Sequence, residues 1–316
     1  MKVSVLMSVY NGEKHLREAI DSILDQTYED FEFIIVNDGS TDSSEEIIQG
    51  YDDIRIKYLK RENGGLSAAL NTGLSSAKGD YIARMDADDI ALKDRLEKQL
   101  AYMEEHPNIV ALGAGITYME EGGDTIFSYV NRMTPDEIRE NIYQMCPIAH
   151  PTVIYRRDVA LKCGGYYEKI RQYFEDHLLF KKMLKYGDLY NMQEPLLKYR
   201  LVSTSITSNK EFKSEYIAIR QRTLKDEVIS DEDRNRLIEI KNHGKSDLNY
   251  KKSKYYLYLG KLYLWKNPEK VKSKENLKKS MQHYFSFEAL ALYIVAFLPS
   301  RIVIYLYNHI DKSRVK

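Results

Sequence analysis

Along residues 1–117 a short apolar run of strand length is followed, repeatedly, by a polar turn and then by apolar positions at helical spacing. That alternation predicts βαβ units, with strands over 3–9, 31–36, 54–59, 81–85 and 109–113. Leu16, Ala19, Ile20, Ile23 and Leu24 fall on one face of a helical repeat, as do Leu66, Ala69, Leu70, Gly73, Leu74 and Ala77. Each helix therefore has an apolar stripe to lay on a sheet. Asp42 followed three residues later by Glu45 is a cap signal that starts the helix between them. Another helix is expected over 92–103. Beyond Gly122 and Gly123, a hairpin-like turn, the pattern predicts a helix over 135–145, a strand over 152–155, a helix from Glu175 and a strand over 190–199. From residue 209 onward every segment reads as helix. The expected division is an α/β domain over 1–208 and a basic helical region over 209–316.

A chain of 316 residues, 43% hydrophobic, can bury a real core and suits two units. Cys146 and Cys163 have no metal-ligand spacing, so neither a disulfide scaffold nor a zinc site is indicated, and a reduced cytoplasmic setting fits. Residues 1–8 alternate and break at Asn11-Gly12, which suits a first strand and not a signal peptide. The formal net charge of zero argues against a protein built to coat nucleic acid, but residues 241–316 carry sixteen Lys and Arg against five Asp and Glu. Within that part, 287–307 is mostly apolar, interrupted by Glu288, Pro299 and Arg301. Its longest uninterrupted run, 289–298, is too short to cross a bilayer. Lys270, Lys272, Lys274, Lys278 and Lys279 precede it, and Lys312, Arg314 and Lys316 follow. Two expectations stand side by side: an element lying on an anionic membrane surface, or a packed helical hairpin with its basic residues in water.

Open parallel sheets bind ligands beyond the carboxyl ends of their strands. Tyr10-Asn11-Gly12 follows the first strand, Asn37-Asp38-Gly39-Ser40 the second, and Asp86-Ala87-Asp88-Asp89, with Arg84 before it, the fourth. Such a density of carboxylates calls for a cation, and hard ions such as Mg²⁺ or Mn²⁺ favour carboxylate and phosphate oxygens. An Asp-x-Asp alone is more often a solvated turn capping the next helix. Its company changes the balance: Asp38 is placed to accept from a base imide N–H, Tyr10 offers a ring for stacking, and Ser8 a small hydroxyl. A second carboxylate site, Glu175-Asp176, opens a helix carrying Leu178, Leu179, Phe180, Met183 and Leu184. Asp176 is the candidate general base for an acceptor hydroxyl, a role worth about 10²–10⁴ in rate. A helix N-terminus would lower its pKa and neighbouring Glu175 would raise it.

These motifs resemble the family 2 glycosyltransferases, inverting enzymes of bacterial capsule and lipopolysaccharide synthesis. The likeness runs from about residue 3 to 200 and includes the Ser4–Gly12 run, Asn37-Asp38-Gly39-Ser40, the run from Glu62 to Gly73, Arg84-Met85-Asp86-Ala87-Asp88-Asp89, His150-Pro151-Thr152, Gly164-Gly165-Tyr166 and Glu175-Asp176. The resemblance implies the glycosyltransferase A-type fold, a Rossmann-like domain with a mixed sheet, and a nucleotide-sugar donor, uridine diphosphate being the family's commonest carrier. It implies that Ser8, Tyr10 and Asp38 hold base and ribose, that Asp86 and Asp88 hold ribose and metal-diphosphate, and that Asp176 is the base. Asp89 can replace Asp88 as metal ligand; Glu175, His150 and Arg84 support the acceptor side. The acceptor would be a glycan or lipid-linked glycan, with the enzyme cytoplasmic or peripheral at the inner face of the cell membrane. Many relatives end this region with Tyr-Arg-x-His, whereas here Val202 stands at the His position. The metal shell would then rely on diphosphate and water, or on Ser203 or Thr204, and the free protein should hold metal weakly. A nucleotidyltransferase would want a Gly-rich basic loop after the first strand, which Tyr10-Asn11-Gly12-Glu13 is not. A sugar-nucleotide-binding assembly protein is the non-enzymatic alternative.

Overall fold

The computed structural model of the chain describes residues 1–171, 173–203, 213–243 and 248–311. Two compact units result: Met1–Thr117, Ser128–Tyr199 and Ser214–Leu237 form the first, and Tyr118–Phe127 with the described parts of Arg200–Lys213 and Ile238–Lys316 form the second. Thr204, Lys312, Arg314 and Lys316, named above, lie outside the described residues.

The chain runs β1 (Val3–Val9), α1 (Leu16–Leu24), β2 (Phe31–Asn37), α2 (Ser44–Gln49), β3 (Ile56–Lys60), α3 (Leu66–Ser76), β4 (Tyr81–Asp86), β5 (Ile90–Ala91), α4 (Arg95–Glu105), β6 (Ile109–Met119) and β7 (Thr125–Tyr129). It continues through α5 (Pro135–Asn141), β8 (Ile154–Arg156), α6 (Arg157–Lys162), α7 (Glu175–Met183), β9 (Asp188–Arg200), α8 (Lys213–Asp226) and α9 (Asp231–His243). The strands form one sheet in the order β3-β2-β1-β4-β8-β6-β9-β5, with β7 on β6. β1, β2, β3 and β4 are parallel. β8 enters antiparallel between β4 and β6, which makes the sheet mixed, as the family resemblance implied. Every residue of β2, and every residue of β1 except Ser8, is buried, as expected for central strands covered on both faces.

Several boundaries differ from the sequence expectation for local reasons. Ile54 is fully exposed, because Asp53 closes a turn by accepting from the backbone and guanidinium of Arg55, so β3 starts at Ile56. Asp42 is not the cap of α2; Ser43 takes that position, and the Asp42 carboxylate instead accepts from the amides of Glu13 and Ser44. α4 starts at Arg95, not 92, because Ile90 and Ala91 pair with Lys198 and Leu197 of β9 and the Leu92 amide donates to Leu196. β6 extends to Met119, and β5, β7 and α6 are elements the pattern did not show. The expected break at 208/209 also moves. α8 groups with the first unit, where the Tyr216 hydroxyl donates to the Tyr173 carbonyl and Lys181 pairs with Glu227.

The second unit gathers the hairpin tip and the helices α10 (Leu248–Trp265), α11 (Lys270–His283), α12 (Phe287–Val295) and α13 (Ser300–Leu306). Ile126 packs with Leu259, Leu262 and Tyr263, whose hydroxyl donates to Glu120. α10 and α11 approach at Gly260, where a Cβ would stand 2.6 Å from Leu277 Cγ. Among the described residues no helix is long and apolar enough to cross a membrane.

Candidate active site

The parallel strands bring three loops to one edge of the sheet. Ser8 pairs with Val36 on one side and Asp86 on the other, and Val9 pairs with Asn37, so Tyr10, Asp38 and the acidic turn emerge from adjacent strand ends. Tyr10 is 56% exposed. Asn11, at φ +53°, ties its loop to the next: its amide donates to Ser40 Oγ at 3.0 Å and its side-chain oxygen accepts from the Thr41 amide at 2.8 Å. Asp38 is buried and already engaged. Its Oδ1 accepts from Gly64 N at 3.0 Å and lies 3.2 Å from Arg61 Nε, while Oδ2 accepts from Gly65 N at 2.8 Å. Asn63 Nδ2 donates to the Asp38 carbonyl. Asp38 thus secures the loop leading into α3, a positioning function that sequence reading did not assign to it or to Arg61 and Asn63.

One oxygen from each of Asp86, Asp88 and Asp89 lies within 4.8 Å of the others. Asp86 and Asp88 are partly exposed and Asp89 is buried. Arg84, buried in β4, pairs with Asp86, while its Nε and Nη1 have no hydrogen-bond partner. Burial opposes its charge, but the Asp86 carboxylate, aided by Asp89, holds its pKa above the ordinary arginine value. Behind it, fully buried Arg95 donates to the Arg84 carbonyl at 2.7 Å, and burial pushes its pKa down to about 9. Three carboxylates so close, with one paired to Arg84, form an all-oxygen donor set that fits a hard divalent cation.

α7 opens on the second pair. Glu175 is buried, its Oε1 is 3.7 Å from His150 Nδ1, and its Oε2 has no hydrogen-bond partner. Burial first, and then the Asp176 charge, push its pKa up to about 8. His150 Nε2 meets the Tyr166 hydroxyl at 3.1 Å, and that hydroxyl meets Tyr155 at 3.3 Å. Burial and the Arg84 charge hold His150 well below the usual histidine range, so its ring is neutral. Asp176 keeps partial exposure; Oδ1 accepts from His177 N at 2.7 Å and Oδ2 from the Cys146 thiol at 3.6 Å. Burial raises its pKa, offset in part by the His177 amide, Arg84 and the thiol. The net direction is upward, and burial is the main cause. Cys146 carried no sequence signal as a partner of Asp176. Asn71 was legible only as part of a motif; its side chain donates to the Tyr166 carbonyl and accepts from the Tyr166 amide, both at 2.8 Å, joining α3 to the His150 network.

The strand ends of this mixed sheet thus carry a cluster of three carboxylates, and α7 opens on a carboxylate pair that is subject to the charge of the same Arg84. The chain belongs to glycosyl transferase family 2, whose model matches residues 4–165. It is 36% identical over 215 residues to the O-antigen biosynthesis glycosyltransferase WbnJ of Escherichia coli, covering 64% of this chain and 81% of that one. In fold it is similar to S. aureus TarS 1-349 solved in complex with UDP, at a TM-score of 0.53 and 19% identity over 98% of this chain and 91% of that one. It is also similar to the mannosyltransferase PcManGT of Pyrobaculum calidifontis, solved with GDP-Man and Mn2+, at a TM-score of 0.55 and 15% identity over 98% and 88%. The fold is the glycosyltransferase A type, followed by a helical C-terminal region.

Proposed function

We propose that the chain is an inverting transferase that moves a sugar from a nucleotide-diphosphate sugar to a hydroxyl of a glycan or lipid-linked glycan in cell-surface polysaccharide synthesis. The observation that carries this is the Asp86, Asp88 and Asp89 cluster at the end of β4, together with the Glu175 and Asp176 pair that feels the same Arg84. UDP is the favoured carrier, supported by the nucleotide in the TarS complex. The polysaccharide setting is supported by the name of WbnJ. Residence at the inner face of the cell membrane goes with a lipid-linked acceptor.

The exposed Tyr10 ring offers a flat face to the base. The Asp38 carboxylate accepts two backbone hydrogen bonds and faces the Arg61 guanidinium, and its remaining acceptor capacity would take an imide N–H. Ser8 and Asp86, paired in register across β1 and β4, would face the ribose. Asp88 and Asp89, with Asp86, would hold Mn²⁺ or Mg²⁺, and the ion when bound supplies neutralisation of the charge that grows on the leaving diphosphate. The Val202 side chain has no donor atom, so donor oxygens and water, or Ser203 or Thr204, would complete the shell, and the free protein would bind metal weakly.

In the single displacement, the acceptor oxygen forms a bond to the anomeric carbon as the bond to the diphosphate oxygen breaks. Its proton passes to the Asp176 carboxylate. Glu175, at about 8, stays protonated at neutral pH, so Asp176 carries the anionic charge of the pair. The upward shift of Asp176 makes it a stronger base than an ordinary aspartate.

The test is hydrolysis and transfer from a panel of nucleotide sugars with Mn²⁺ or Mg²⁺, using wild type, Asp88→Ala and Asp176→Asn. Asp176→Asn should lower kcat by about 10²–10⁴ and leave donor binding intact. Asp88→Ala should abolish the metal-dependent part of donor affinity. An Asp176→Asn protein as fast as wild type removes the base assignment, and a wild type inert toward every donor with either metal removes the proposal. Calorimetry showing tight Mn²⁺ binding by the free protein would contradict the shell described here.

A further inference from the structure

α12 and α13 are apolar nearly all round, with Glu288 and Arg301 as their charged residues. A helix of that composition belongs in a core or in lipid. Yet from this stretch the core of the second unit takes Ala289, Ala296 and Val303 as fully buried side chains. Phe287 is 82% exposed, Phe297 62% and Tyr305 60%, with Ile294, Ile302 and Ile304 exposed beside them. Single exposed apolar residues are ordinary, but a run of this density marks an interaction surface.

The charges around it decide what it meets. Lys274 Nζ sits 4.4 Å from the Phe297 ring centroid, Lys270 Nζ donates to the Leu298 carbonyl, and Lys266 Nζ donates to the Tyr307 hydroxyl at 2.7 Å. Lys278, Lys279 and Arg301 are exposed. Glu288, the acidic group on α12, is paired with Lys261 at 2.6 Å. A second copy related by a twofold axis would set this cationic rim against itself. An anionic lipid surface satisfies the apolar side chains and the cations together. The nine residues of α12 span only about 13 Å, against a hydrocarbon core of about 30 Å, so the element lies in the surface and does not cross it.

We propose that α12 and α13 form a peripheral membrane-binding element, with Phe287, Ile294, Phe297 and Ile304 entering the acyl boundary and Lys274, Lys278 and Arg301 meeting lipid phosphates. This deepens the functional proposal by naming the surface at which a lipid-linked acceptor would be met, and it rests on that proposal only for the acceptor. The full chain is sedimented with vesicles of phosphatidylcholine alone and of phosphatidylcholine with phosphatidylglycerol, and donor hydrolysis is measured in parallel without vesicles. Wild type should pellet with the anionic vesicles and be released by high salt. Phe287→Ser with Phe297→Ser should weaken binding by about tenfold or more, and Lys274→Gln and Lys278→Gln by about fivefold each. Hydrolysis and the melting curve should match wild type in all three variants, which reports that they are folded. Wild type left in the supernatant with both vesicles, or pelleted equally by both, overturns the proposal. So does a concentration-dependent dimer by light scattering that the Phe variant abolishes, because it gives this face to a second copy. Absent hydrolysis with retained vesicle binding would instead count against the functional proposal alone.

Discussion

At the scale of single residues, Arg84 holds the two halves of the site in electrostatic balance. It pairs with Asp86 in the acidic cluster and lowers the pKa of both Glu175 and Asp176, while its own Nε and Nη1 have no hydrogen-bond partner. Arg84→Met should therefore move the acid limb of the pH dependence of kcat/KM to higher pH, since Asp176 loses a charge that favours its ionised form. An unchanged limb would show that Arg84 acts on Asp86 alone. Glu175 supports a separate prediction about stability. Its folded pKa of about 8 lies above its ordinary 4.5, so the folded chain binds more protons than the unfolded one and stability falls as pH rises between those values. Glu175→Gln removes that penalty. Its melting temperature should exceed that of wild type above pH 8, by about 2 °C or more for each kcal/mol relieved, and the gain should shrink as pH falls and vanish below the ordinary value of 4.5. A gain of equal size at both pH values would point to packing instead. The carboxylates themselves were legible in the sequence because they sit where apolar runs end. Arg84 as a shared cation was not, because strand order does not reveal that the fold buries it near a helix nearly a hundred residues further on.

At the scale of elements, sequence reading succeeds where a segment's own side chains decide its state. α1 and α3 appear where their apolar stripes lie, and β1 has the bounds its apolar run predicts. It fails where the decision is made elsewhere in the chain. β5 has two residues and exists because Ile90 and Ala91 find Lys198 and Leu197, so nothing local marks it. β8 is legible as a strand over 152–155, but its place between β4 and β6 depends on strands far from it in sequence. Loop 61–65 makes the point for the site. Its motif was recognisable, yet its anchor on Asp38 appears only when β2 and α3 are placed together. Gly39 tests that anchor, because it has φ +75° and a Cβ there would stand 2.8 Å from the Asn63 amide. Gly39→Ala should cost about 1–2 kcal/mol for the backbone alone. It should also shift the loop, so that KM for the donor rises more than kcat falls. A variant with a lower melting temperature but unchanged KM would show that the loop is dispensable for donor binding.

At the scale of the whole molecule, a net charge of zero conceals a division. The excess of positive charge over 241–316 leaves residues 1–240, which hold every proposed donor-binding residue, with an equal negative excess. A protein region of that sign repels a nucleotide diphosphate at long range, which is the physical case for a cation at Asp86, Asp88 and Asp89. The sign of the salt dependence follows. Without divalent metal, raising ionic strength from about 0.01 to 0.15 M shortens the screening length from about 30 to 8 Å, weakens the repulsion and should tighten binding of UDP. With Mn²⁺ present, the attraction between ion, carboxylates and diphosphate is what salt screens, and binding should weaken instead. Calorimetric titration of UDP into the full chain, with and without Mn²⁺ at the two ionic strengths, reads both slopes. Slopes of the same sign would mean that local cations such as Arg61, and not the field of the acidic region, govern how the diphosphate is received.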